Sequence, residues 1–429
     1  MTPTRLHLAL PLLALLAAPV AAQTGTQAST PARMFDIRTG DVPTALALAA
    51  TFGIEGATEE SVKDKVLELT YDPATKQRVA KLLPAEGTLP PGTRIAIDFD
   101  VAETLNGYRA EVEEIRRKLE PAVDVALQQI DYPIGFGRRM LDGVLGALLD
   151  MERLQVRIQG DLVGAPGKGL VVEALPHCAK DSALGRWLES VKRGKGSLPV
   201  DDENTALSFR CSVAADHVAA FFAPFGAFQV ERGARTAAER DANTEGLSTF
   251  LSAWDGSMSL LVSAEGYAAF LGLRDAATFA AAMVDPKRLA RLADEALRQD
   301  REVEHEPRHL VHKKVPVMRT RSSALGKAGL LPSEIVSYAV VVKDSAIYSG
   351  GTKASTEAVT QLVDLALDGR LAAAPLPDDL VLDLQLDVAR LLGLLPKDAV
   401  GVVEKPPVQR ARLALRNSNG TVTLLLELR

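Results

Sequence analysis

Aromatic residues make up only 5% of this chain, and cysteine occurs just twice, as Cys178 and Cys211. So few rings leave little to stack on sugars or bases. Basic charge is not in excess either: 49 Lys and Arg stand against 55 Asp and Glu, for a net charge of −6. The chain therefore lacks the electrostatic footprint of a nucleic-acid binder, and no nucleic-acid partner is expected. After the first 22 residues no apolar run approaches the ~20 residues of a membrane-spanning helix, so no transmembrane segment is expected beyond that point. With 47% hydrophobic residues, there is still ample material for two or three globular domains.

Motifs for catalysis and cofactors are also missing. No Gly-x-Ser-x-Gly elbow occurs. Gly164-Ala165-Pro166-Gly167-Lys168-Gly169 lacks the first glycine of a phosphate loop and the hydroxyl residue after its lysine. Ser349 to Lys353 is one residue too long for the Ser-x-x-Lys of penicillin-binding enzymes, and Gly350-Gly351 reads more simply as a turn. Two cysteines are too few for a zinc site, since His177 beside Cys178 adds a single ligand. No cofactor and no metal are expected.

What is present begins with a leader. Arg5 gives the first residues one positive charge, Leu6 to Ala18 is an apolar core of Leu and Ala broken by Pro11, and Val20-Ala21-Ala22 supplies small residues after Pro19. This is the pattern of a secretory signal peptide cleaved after Ala22. No cysteine lies near the cut, so a lipid anchor is not expected, and the implied address is periplasmic or extracellular. In an oxidising compartment an even cysteine count favours a Cys178–Cys211 disulfide, worth roughly 3 to 4 kcal/mol by loop closure.

Gln23 to Arg33 is polar and reads as a flexible mature N-terminus. Pro, Gly and charge punctuate the chain at 83–92, 191–204, 233–246 and 369–379, which suggests a small α/β module over 34–92 and α+β domains over 93–235 and 246–429. One unit recurs between these cuts. Thr93 to Phe99, Ala206 to Cys211, Met258 to Val262 and Val381 to Leu386 read as strands. Asp100, Ser212, Ser263 and Asp387 follow them as N-caps of helices, each offering an oxygen to the unpaired amides of a first turn. Hairpins follow from strand pairs at 154–158 with 170–174, 337–342 with 346–349, and 410–415 with 421–428. Helices such as 108–119 and 287–298 show apolar residues at three- and four-residue spacing. The pattern predicts an α+β fold of antiparallel sheets with helices packed on one face. Its spacing is too irregular for a solenoid.

Met34 to Leu89 resembles the short N-terminal domain of secretins and TonB-dependent receptors. Phe35-Asp36-Ile37, then Gly40-Asp41-Val42-Pro43 to Phe52-Gly53-Ile54, match that family's strand, capped helix and glycine stop. Val66 to Tyr71, Lys76 to Leu83 and Gly87-Thr88-Leu89 match its second strand, second helix and close, while Glu55 to Asp64 is charged where the family has another strand. The resemblance implies an α/β module without chemistry. The remainder, through Gly272-Leu273-Arg274-Asp275 and Tyr338 to Gly351, resembles exported bacterial proteins of unknown function.

One string invites an enzymatic reading. His305-Glu306-Pro307-Arg308-His309, with His312 beyond, satisfies the H-E-x-x-H of zinc proteases. That site needs a helix, and Pro307 costs ~3 kcal/mol inside one. The flanks alternate like strands, so Glu306-Pro307 is expected to be a turn. Phe221, Phe222, Phe225 and Phe228 form the other cluster, expected to be core, with a hydrophobic mouth for a lipid or an apolar partner as the functional alternative. Together these features favour a non-enzymatic binding or assembly scaffold of the envelope, for a lipid, lipoprotein or protein partner. An exported hydrolase whose site is assembled from distant residues is the alternative. The mature protein purified from its host is expected to begin at Gln23. An intact Met1 or a lipidated N-terminus by mass spectrometry contradicts it.

Overall fold

The structure, a computed structural model, describes residues 32–63, 65–72, 77–85, 88–107, 109–128, 132–133, 135–160, 169–199, 204–231, 234, 236–298, 300–325, 333–351, 354–370, 373–377, 379–394 and 408–429. The leader, its cleavage site, Gly164 to Lys168 and Lys353 lie outside them. The strands are β1 Ala32–Thr39, β2 Lys65–Asp72, β3 Gln77–Pro84, β4 Thr93–Asp100, β5 Met151–Gln159, β6 Leu170–Cys178, β7 Ser197–Pro199, β8 Leu207–Ser212 and β9 Trp254–Ser263. They continue with β10 Gly266–Leu273, β11 Arg301–His312, β12 Val315–Ala324, β13 Glu334–Val342, β14 Ser345–Gly351, β15 Ala373–Pro375, β16 Leu380–Asp387, β17 Arg410–Ser418 and β18 Thr421–Leu428.

The chain is α+β and its strands pair antiparallel, as expected. It divides into two compact units: the residues up to 126 with 137–186 and 423–429, and the residues 127–136 with 187–422. This cuts across the boundaries expected from punctuation. The expected break at 83–92 lies inside one sheet, because β1 pairs β4 with Phe35 opposite Phe99.

The first unit orders its strands β18-β6-β5-β4-β1-β2-β3. Alternation along each strand gives it an apolar and a polar side. Phe35, Ile37, Leu67, Leu69, Ile95 and Ile158 are buried together. Helix Val42–Thr51 enters through Asp41, whose carboxylate accepts from the Thr44 amide at 3.1 Å, and Phe52 at its end meets Phe35 edge-on at 5.6 Å between ring centroids. The expected second helix at 76–83 is strand β3 instead. Period two explains the difference, since Ala80 and Leu82 join the buried side while Val79 and Leu83 are exposed. The charged stretch 55–64 holds a single helical turn, Glu59–Val62.

The second unit orders its strands β11-β12-β13-β14-β10-β9-β8-β16-β17, with β7 and β15 as a separate pair. On one side, Phe221, Trp254, Phe279 and Met283 close a core formed with helices Val218–Glu231, Ala237–Ala253 and Ala276–Met283. On the other side, register places Val317, Val340, Ile347, Phe270, Ser259, Arg210, Asp383 and Ala414 in one row across eight strands. The first four pack under Val359 and Val363 of helix Thr356–Leu367. Helices therefore cover both faces here, which corrects the expectation of one helical face.

The row then turns polar while staying buried. Asp383 is 4% exposed and takes a two-pronged ion pair from Arg412 at 2.6 and 3.2 Å, with Gln385 donating at 2.9 Å. Arg210, opposite Asp383 in register, donates to the Ala374 carbonyl of β15 at 2.7 Å. Ser208, Ser212, Ser257 and Ser259 are buried around them.

Two of the four expected caps form. Asp100 accepts from the Glu103 amide at 2.9 Å, and Asp387 from the Arg390 amide at 3.0 Å. Ser212 caps nothing, because its strand runs on to a bridge at Val213 before the 3-10 turn Ala215–His217. Ser263 opens the β9–β10 hairpin, accepting from the Glu265 amide at 3.2 Å. Gly350-Gly351 is not a turn but the end of β14 lying on β10, where a Cβ at Gly350 would meet the Tyr267 ring at 2.7 Å.

Asp383→Ala leaves the half-buried Arg412 guanidinium without its carboxylate and is expected to lower stability by about 3 kcal/mol, whereas Asp387→Ala loses only a cap and costs about 1 kcal/mol. Urea denaturation of the two variants decides this. Equal, small losses would contradict the buried network.

Candidate functional site

The histidine string lies on β11, an edge strand, and not on a helix. Pro307 and a cluster of charge at a sheet edge are what blunts edge-to-edge pairing. The expected turn at Glu306-Pro307 is a bulge, since Glu306 pairs with Arg319 and the register resumes at Leu310 with Val317. The true turn is Lys313-Lys314, with φ of 47° and 69°, the geometry of a two-residue hairpin loop. Each histidine has a separate neighbour. His305 Nδ1 lies 3.0 Å from Thr320 Oγ1, His309 Nδ1 lies 2.5 Å from Glu306, and His312 Nε2 lies 2.6 Å from Asp364 on helix Thr356–Leu367. Among the described residues no three His, Cys, Asp or Glu are grouped to hold a metal. His312 instead fastens the helix to the β11–β12 hairpin, with Lys313 joining Asp364 at 2.9 Å, while His305 and His309 bond within the hairpin.

Electrostatics fit that structural role. His309 and Arg319 hold the Glu306 carboxyl below its ordinary value, and Lys313 and His312 do the same for Asp364. Burial lowers the pKa of His305.

The expected disulfide is not formed, and both cysteines are free thiols. Burial pushes Cys211 up to about 12; burial, with Asp150 and Glu152 nearby, raises Cys178. Neither supplies a thiolate nucleophile at neutral pH. The phenylalanine cluster divides. Phe221 is fully buried and stacks on Trp187, Phe222 packs on Trp254 at 4.8 Å, and Phe228 meets Tyr132 and Phe136 edge-on. Only Phe225 is exposed, so the cluster is core with one residue outside.

Two surfaces of the first unit went unnoticed in the sequence. Helices Arg109–Gln128 and Phe136–Leu149 run antiparallel, held by Arg116 to Asp142 at 2.7 Å and by the Gly137 amide to Asp124 at 2.8 Å. Charged and small residues thus make these contacts, while Ile115 and Leu119 on one helix and Val144 and Leu148 on the other are exposed. Four-residue spacing puts each pair on one helix face. The helical period at 108–119 was visible, but not that its apolar residues would face water.

The second surface is the polar side of the sheet. A cleft of about 250 Å³ there is lined by Asp36, Arg38, Asp98, Arg153, Gln155 and Arg157, with Leu89 and Pro90 beside it. Asp98 is ion-paired with Arg153. The signal that could have found it is charge at every second residue, in Asp36-x-Arg38 and Arg153-x-Gln155-x-Arg157.

The fold is that of an α+β protein in which Glu306, Asp364 and Asp383 are each engaged in an ion pair. Comparison with protein-family models, with curated proteins and with solved structures gives no match.

A folded His305 stays neutral at a pH where the unfolded ring, near 6.5, takes a proton, so its contribution to stability is lost as pH falls through that range. The depressed carboxyls of Glu306 and Asp364 lose theirs lower, as pH falls below about 4. His305→Gln is expected to gain thermal midpoint relative to the parent as pH drops from 8 to about 5. A pH-independent difference would contradict the assignment.

Proposed function

We propose that this chain is an exported, non-enzymatic binding or assembly scaffold of the bacterial envelope that holds an apolar partner. The partner is a lipid, a lipoprotein or a protein segment. The observation that carries the reading is the helical pair of the first unit, which turns Ile115, Leu119, Val144 and Leu148 outward and holds together through charge. Exposed apolar side chains spaced along one face of each helix are the features that mark interaction sites. Among the described residues no helix is long and apolar enough to cross a membrane, so this pair is read as a contact surface and not a span. Export rests on the leader, and the resemblance of 34–89 to an envelope domain agrees with it.

The hydrolase alternative needs free acids or bases converging in a cleft. Here Glu306 and Asp364 are ion-paired, and the histidines sit against Thr320, Glu306 and Asp364.

The double variant Ile115→Ser/Leu119→Ser should keep the parent's thermal midpoint, because the exchanged side chains already face water. It should also lose the lipid or protein that co-purifies with the parent from the native host, read by mass spectrometry. Identical co-purification with both proteins, or none with either, would overturn the proposal.

A further inference from the structure

The polar side of the first unit's sheet carries a second feature, independent of the helical pair. In register, Arg38 on β1 and Arg157 on β5 flank Ala96 on the strand between them. All three belong to one row on one face, so neighbouring strands at ~4.8 Å spacing put the two arginine stems about 10 Å apart with only a methyl group between. This is the width that two extended guanidinium groups close on when they grip one small group from both sides. The cleft of about 250 Å³ lies there, lined by Arg38, Ala96 and Arg157.

The charges around it are unequal. Asp98 is committed to Arg153, and Asp36, buried at 8% exposure, stands in the next row beside Asp98 and Glu68. Arg157 makes no hydrogen bond or ion pair among the described residues. Glu173 is opposite it on β6, and no ion pair joins them. On the same strand as Arg157, Arg153 meets the Asp98 carboxylate across the sheet, and in the second unit Arg319 meets Glu306 and Arg412 meets Asp383 in the same way. A half-buried guanidinium without such a partner is the donor set that a planar oxyanion satisfies, two N–H groups to two oxygens. A space of this size admits a carboxylate or a phosphate but not a drug-sized ligand.

We propose that the space over Ala96, between Arg157 and Arg38, is an oxyanion-binding subsite. It takes either the carboxylate of an acidic side chain or chain end, or a phosphate group. Gln155, also lining the cleft, offers an amide donor beside it.

The experiment uses the full mature chain labelled with 15N-arginine. It is titrated separately with sodium phosphate, sodium acetate and, at matched ionic strength, sodium chloride, while the arginine Nε–H resonances are followed. The expected result is saturable movement of the Arg157 resonance with phosphate or acetate but not with chloride, and the stronger anion names the source. Arg157→Gln should weaken binding, read on the Arg38 resonance, by ~10-fold or more, with Arg157→Lys in between because a lysine keeps the charge and loses the fork. Ala96→Glu places a tethered carboxylate in the space and should abolish the response to free anion. No saturable response in the parent, or an equal one in Arg157→Gln, would overturn the subsite. Because the helical pair plays no part in it, failure here leaves the scaffold reading standing.

Discussion

A charged side chain on a half-buried strand has to be answered across the sheet, and the pairing of guanidinium with carboxylate between neighbouring strands is what lets these sheets carry so much charge. Arg412 and Asp383, Arg153 and Asp98, and Arg319 and Glu306 are all such pairs. Where the pair is deep, as at Asp383, removing one partner is far costlier than the pair is worth, since the survivor is left desolvated. Near the surface, as at Glu306, the same pairing contributes little stability but ties neighbouring strands in register. Arg210 is answered by the Ala374 carbonyl instead, and Arg157 by no carboxylate among the described residues.

The same rule bears on function. The carboxylates and histidines of the β11–β12 hairpin are engaged with neighbours, whereas the exposed apolar side chains of the helical pair have no such commitment. In the first unit the contacts between helices Arg109–Gln128 and Phe136–Leu149 run through Arg116, Asp142 and Asp124, and the leucines and isoleucine are left outward. An amphipathic helix in a protein gains most of its stability by packing such residues against a neighbour. Their exposure supports a surface that something else covers.

Local chemistry was readable from residues alone. Asp100 and Asp387 cap helices because the donor and acceptor lie three residues apart, and the hairpins at 154–174 and 337–349 follow from alternation and turn residues. Pro307 was enough to rule against a helical zinc motif. What failed depended on partners distant in sequence. Ser212 and Ser263 look like Asp100 from their neighbours, yet one strand continues and the other folds back. The helix at Lys76 to Leu83 is implied only by the family resemblance, and pairing of Gln77–Pro84 with the neighbouring strand overrides it. Neither the free cysteines nor the second helical face could be seen without knowing which strands adjoin. The cleft was written in plain sight as alternating charge, but only register shows that Arg38 and Arg157 share a row.

The central claim is that this protein works by holding an apolar partner on its helical pair. A photo-crosslinking residue placed at Leu119 in the native host tests it most directly, with one at Lys118, exposed on the same helix and paired with Glu114, as the comparison. The account predicts a discrete adduct from position 119 that is absent or much weaker from 118. Equal adducts from both positions, or none from 119, would contradict it.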